Sequence, residues 1–143
     1  MAGNLKNAGM RKLLLGLVLL SFGVPAAEVP TTLDLDDRKF HLQVFAWRDF
    51  MPQIGGDGKG SPLMLTASLV NIAGITSQSA HFDKVLVTCQ GQQWQAVPDE
   101  GGTARGGPKW EPGSTLMVKA HFSYKGKSQW IQLAKPASVN RTE

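Results

Sequence analysis

Beyond residue 27 the apolar positions recur with a period of two, the spacing of a β-strand. Phe40, Leu42, Val44 and Ala46 alternate with His41, Gln43, Phe45 and Trp47. Leu63, Leu65, Ala67 and Leu69 share one face, with Thr66 and Ser68 on the other. Val85, Val87 and Cys89 alternate with Leu86, Thr88 and Gln90; Leu116, Val118, Ala120 and Phe122 alternate with Met117, Lys119, His121 and Ser123. A last strand is expected over Ser128–Ala134, and shorter ones over Thr31–Asp36 and Gln92–Val97. No window carries the i, i+3, i+4, i+7 spacing of an amphipathic helix. Tyr124-Lys125-Gly126-Lys127 reads as a tight hairpin. In Glu111-Pro112-Gly113-Ser114, proline presets φ and glycine supplies a positive φ, so a turn launches the strand at Thr115. Glycine-rich loops are expected at Arg48–Pro62 and Pro98–Ser114. About seven short strands predict an antiparallel β-sandwich of immunoglobulin-like type.

The first 26 residues have a different pattern. Lys6, Arg11 and Lys12 precede the apolar run Leu13–Val24, and Val24 and Ala26 stand two apart before Ala27. A run of about 12 apolar residues matches a signal-peptide core and falls short of the ~20 that span a bilayer as a helix. The reading is therefore a signal peptide over 1–26, cut after Ala26, and a single β-domain over 27–143. Such a chain works in the periplasm or outside the cell.

That cut changes the charge argument. Taking Lys6, Arg11 and Lys12 from 15 basic residues leaves 12 against 11 acidic ones, close to +1. The basic character belongs to the leader and gives no nucleic-acid footprint, and no later apolar segment calls for membrane insertion. Cys89 is the only cysteine, so no intramolecular disulfide forms. Its phase with Val85 and Val87 places it in the core, where an apolar setting makes a thiol inert.

The stretch Trp110–Val118, followed by a short hairpin, resembles the closing strands of bacterial immunoglobulin-like domains. The resemblance implies the architecture and no activity. The cysteine pair and tryptophan spacing of antibody-type domains are absent from the sequence.

Few residue constellations carry chemistry. There is no Gly-x-Ser-x-Gly elbow, and the loop Gly55-Gly56-Asp57-Gly58-Lys59-Gly60-Ser61 departs from a phosphate loop because Gly60 separates Lys59 from Ser61. Asp57 is the only carboxylate in that loop, too few for calcium. Asn140-Arg141-Thr142 matches the N-glycosylation pattern, on an end expected to fray. No enzyme activity and no cofactor are expected.

The best binding candidate is Phe45–Pro52. Trp47, Arg48, Asp49, Phe50 and Met51 bring interface residue types to the mouth of a glycine loop. Trp110, beside Arg105 and Lys109, adds an aromatic flanked by charge. The plainer alternative is structural: a strand buried on both sides, with Arg48 pinning the turn and Trp110 anchoring its loop. The expected function is an exported, non-enzymatic module binding a protein (or glycan) partner. A second reading is periplasmic copper handling through His41, His121 and Met117, which requires their strands to be neighbours.

Overall fold

Nine strands and no helix make up the described residues of the computed structural model, which are 28–52 and 54–143. The expected signal peptide and its cut after Ala26 lie outside them. In chain order the strands are β1 (Thr32–Leu35), β2 (Arg38–Asp49), β3 (Leu63–Asn71), β4 (Ala80–Cys89), β5 (Gln92–Ala96), β6 (Thr103–Gly107), β7 (Thr115–Tyr124), β8 (Lys127–Gln132) and β9 (Ala137–Thr142). They form one mixed sheet in the order β5-β4-β7-β9-β2-β3-β6, with β1 beside β2 and β8 beside β7.

The hairpins follow from local backbone preference. Asp36-Asp37, Gln90-Gly91 and Lys125-Gly126 link β1–β2, β4–β5 and β7–β8, each with positive φ at both residues. That is the type I′ pattern, whose twist matches that of the flanking strands. Aspartate tolerates the left-handed region better than most residues, which admits a turn without glycine between β1 and β2.

Period-two alternation then builds one shared core. Leu42, Ala46, Leu63, Leu65 and Leu69 from β2 and β3 meet Val85, Val87, Leu116, Val118 and Phe122 from β4 and β7, with Ile131 of β8 and Val139 of β9. The sheet is therefore folded over on itself. β9 joins its two halves, running antiparallel to the start of β7 and parallel to the end of β2. Cys89 is 1% exposed, as its phase with Val85 and Val87 requires.

Three expectations need correction. The sheet is mixed, not wholly antiparallel, because β9 returns beside β2 from the β7 side in a direction set by its antiparallel pairing with Thr115 and Leu116. There are nine strands, not about seven: β6 lies within the expected loop Pro98–Ser114, and β9 occupies the end expected to fray. Arg48 and Asp49 belong to β2, so the first loop starts after Asp49.

β6 is held by a close backbone approach. A Cβ on Gly102, which has φ +84°, would stand 2.5 Å from the Ala67 carbonyl oxygen. Without one, the Gly102 carbonyl accepts the Ala67 N–H at 2.9 Å. The hydroxyls of Thr66 and Thr103, paired across the β3–β6 ladder, lie 2.8 Å apart.

Candidate functional site

The segment Trp47–Met51 forms as β2 leaves the sheet, and alternation sorts its side chains. Ala46 and Arg48 turn inward, while Phe45 and Trp47 turn outward. The two outward rings stack with centroids 5.4 Å apart and planes at 29°. Phe45 is 52% exposed and Trp47 is half-buried, opposite Met64 of β3. Arg105 of β6 brings its guanidinium within 3.6 Å of the Met64 sulfur. An aromatic pair with a thioether and a cation beside it therefore sits on the outward side of β2, β3 and β6.

Arg48 lies beneath that surface, at 2% exposure. Its Nε donates to Ser61 O at 2.8 Å, its Nη2 to Lys59 O at 2.6 Å, and its Nη1 to Trp110 O at 3.1 Å and Lys109 O at 3.3 Å. The guanidinium thus ties both long loops to the end of β2 through backbone carbonyls. Burial takes it off the surface where sequence reasoning puts it as a partner contact. The inward phase of position 48, shared with Ala46 and Leu42, is the signal for this.

Phe50 follows directly on β2 and is half-buried. Its ring lies 4.7 Å from the Arg48 guanidinium and 4.0 Å from that of Arg141 on β9. A cation on an aromatic face is attractive by about 0.5–1 kcal/mol at an exposed site. The ring also rests on Gly60, where a Cβ would approach within 2.6 Å. Arg141 had no signal in the sequence, since only β9 pairing brings it here.

Asp49 is used locally. Its backbone N–H donates to Ser61 Oγ at 2.8 Å, its carbonyl accepts Ser61 N–H at 2.7 Å, and its carboxylate accepts Met51 N–H at 3.0 Å. These bonds project Met51, 57% exposed, past the sheet, with Ile54 fully exposed further along the loop. A cleft of 250 Å³ lies between Phe50–Pro52 and Gly58–Pro62. On its wall the Lys59 backbone N–H holds the Asp57 carboxyl below its ordinary value, helped by the charge of Lys109.

Trp110 is buried, its indole Nε1 donating to Gln92 Oε1 at 2.7 Å while its carbonyl receives Arg48. It anchors the second loop to β5 and offers no free face. The surface that remains consists of Phe45, Trp47, Phe50 and Met51, with Asp49 shaping the turn.

The residues of the copper reading stand apart. His41 lies on β2 and His121 on β7, strands separated in the sheet by β9. Met117 shares a face of β7 with His121, four residues away, roughly 13 Å along a strand. His121 Nδ1 instead meets Asp83 Oδ1 at 2.6 Å, against the Trp130 ring at 5.0 Å. Among the described residues no group of three or more His, Cys, Asp or Glu could hold a metal ion.

At the far end of the domain, Asp36 in the β1–β2 turn accepts from Tyr124 Oη and Lys125 Nζ in the β7–β8 hairpin. The Lys125 bond, then that from Tyr124, holds the Asp36 carboxyl below its usual value; Tyr124 and Lys125 are raised by the same contact. This contact fastens one half of the sheet to the other. Searches against family models, curated proteins and solved structures find no match for this chain.

Proposed function

We propose that the chain is an exported, non-enzymatic binding domain that presents the surface around Trp47–Met51 to a protein partner. Its fold is read as an immunoglobulin-like sandwich, with residues 1–26 removed on export to the periplasm or cell exterior. The observation that carries the reading is the exposed, stacked Phe45–Trp47 pair continuing into Met51 and Ile54. Large apolar side chains left in water on a rigid element mark interaction sites, and aromatic residues and methionine are the types enriched there. Arg48 supports the surface from below, so its shape exists before a partner arrives and little ordering is lost on binding.

Two measurements test this. Mass spectrometry of the exported chain is expected to show Ala27 at the N-terminus; a soluble released chain still starting at Met1 refutes the signal peptide. Replacing Phe45 and Met51 together by serine should weaken partner capture at least about tenfold, the scale of an interface hot spot. The unfolding midpoint should stay unchanged, since both side chains are already exposed. Unchanged capture by the double variant refutes the reading.

A further inference from the structure

The hydrogen-bonding edge of β2 is interrupted on one side. β3 covers the opposite edge continuously from Phe40 to Trp47 without a register shift. On the interrupted side β1 pairs Arg38–His41 and β9 pairs Ala46–Asp49, which leaves residues 42–45 between them. Contacts further along show where the backbone groups point. Ala46 O accepts Asn140 Nδ2, Arg48 O accepts Thr142 Oγ1, and Phe50 N–H donates to Thr142 O. Positions 46, 48 and 50 thus turn their peptide groups toward β9. Because these groups alternate sides along a strand, Val44 turns its N–H and C=O to the same edge. Among the described residues, no backbone hydrogen bond from a loop reaches Val44.

Chain segments flank this stretch without pairing to it. Pro30 carries the chain before β1 toward β8, where its carbonyl accepts the Gln132 N–H at 3.0 Å. On the other side, Val139 turns its peptide groups to Gly113 and Ser114, so Ser138 and Asn140 turn theirs toward β2. In the register that pairs Ala46 with Val139, Val44 would stand opposite Ala137, but the β2–β9 pairing starts only at Ala46.

A 450 Å³ groove lies over the opening, and Val44, Ile72, Leu133, Lys135 and Pro136 are among the residues lining it. Ile72 is 99% exposed. Lys135 lines the groove and no acidic side chain does. We infer that this opening is a docking slot for a short extended segment of another polypeptide, carrying an apolar residue and a carboxylate. The segment adds beside β2 between β1 and β9 and exchanges backbone hydrogen bonds with Val44. Its apolar side chain covers Ile72, and its carboxylate meets Lys135. Strand addition of this kind takes affinity from the backbone and selectivity from alternate side chains. Residues 42–45 span roughly 13 Å, which sets the length at about four residues. The inference does not rest on the Trp47–Met51 surface.

The test is solution NMR of the isotope-labelled exported chain, titrated with a five-residue peptide of β-branched residues ending in aspartate. In the free chain the Val44 amide should exchange with solvent faster than those of Phe40 and Ala46. With the peptide it should shift and become protected. N-methylating alternate peptide amides removes donors while keeping the side chains, and should weaken binding roughly tenfold. Lys135→Glu should weaken it too. The inference is overturned if Val44 is already protected in the free chain, if millimolar peptide leaves Val44 unshifted, or if the N-methylated peptide binds equally well.

Discussion

Arg48 is a buried cation compensated by carbonyl oxygens instead of a carboxylate, and that arrangement sets a stability prediction. Replacing it with methionine keeps much of the aliphatic stem while removing the guanidinium. The carbonyls of Lys59, Ser61 and Trp110 then lose their donor, at roughly 1 kcal/mol each. The cation–π contact with Phe50 goes as well, worth about 0.5–1 kcal/mol. One effect opposes these losses, because the variant no longer buries a charge. That relief is partial, since the loops can admit water once the clamp is gone and the oxygens already solvate the cation. The expected net loss is about 3 kcal/mol, equivalent to a fall of roughly 10 °C in Tm for a domain this size. Arg48→Lys should also destabilise, because one ammonium cannot reach oxygens spread over Lys59, Ser61 and Lys109–Trp110. Urea unfolding followed by tryptophan fluorescence measures the change, and amide exchange across 59–61 shows whether the loop opens first. A methionine variant within about 0.5 kcal/mol of the parent, the range of an ordinary surface substitution, would refute the clamp.

Other positions give independent checks. Gly102→Ala places a Cβ against the Ala67 carbonyl at a φ of +84°, so it should destabilise by at least about 2 kcal/mol in urea unfolding, and by more than Gly91→Ala, which shares the positive φ but has open space around its Cβ; equal losses would remove the close approach from the account. Cys89 should resist thiol reagents until the domain unfolds, and Cys89→Ala should cost about 1 kcal/mol; rapid labelling of the native chain contradicts its burial. Asp36 has a depressed pKa, so its contribution is present above the ordinary aspartate range and is lost as pH falls through the lowered value. Asp36→Asn should therefore flatten the acid limb of the stability–pH curve, and an unaltered limb removes Asp36 from the account.

How far the sequence reveals the fold depends on how one-sided each strand is. β2, β3, β4 and β7 carry long alternating runs, and their inward residues are those the pattern selects. The hairpin at Lys125-Gly126 is equally legible, since its turn chemistry is local. β6 is not, because Thr-Ala-Arg-Gly-Gly offers Ala104 as its only apolar side chain and depends on the Gly102–Ala67 approach. β9 escapes for the same reason: Val139 is its one buried residue, and its place is set by pairing with strands distant in the chain. The candidate site divides similarly. The outward phase of Phe45 and Trp47 can be read from alternation. Arg48 sits in the inward phase, yet a charged side chain there reads as the strand's end until its carbonyl partners, up to 62 residues away, are seen. Arg141 joins Phe50 only through β9.

The central claim is that the outward side of β2 and the tip beyond it meet a protein partner. Photo-cross-linking in the exporting cell tests it most directly, with a photoreactive residue placed in turn at Phe45, Met51 and Gln95. Phe45 and Met51 belong to the proposed surface, whereas Gln95 is exposed on β5 in the other half of the sheet. The account predicts one protein cross-linked from positions 45 and 51 and absent from position 95. Cross-links of equal yield from all three positions, or a partner captured from position 95 alone, would contradict it.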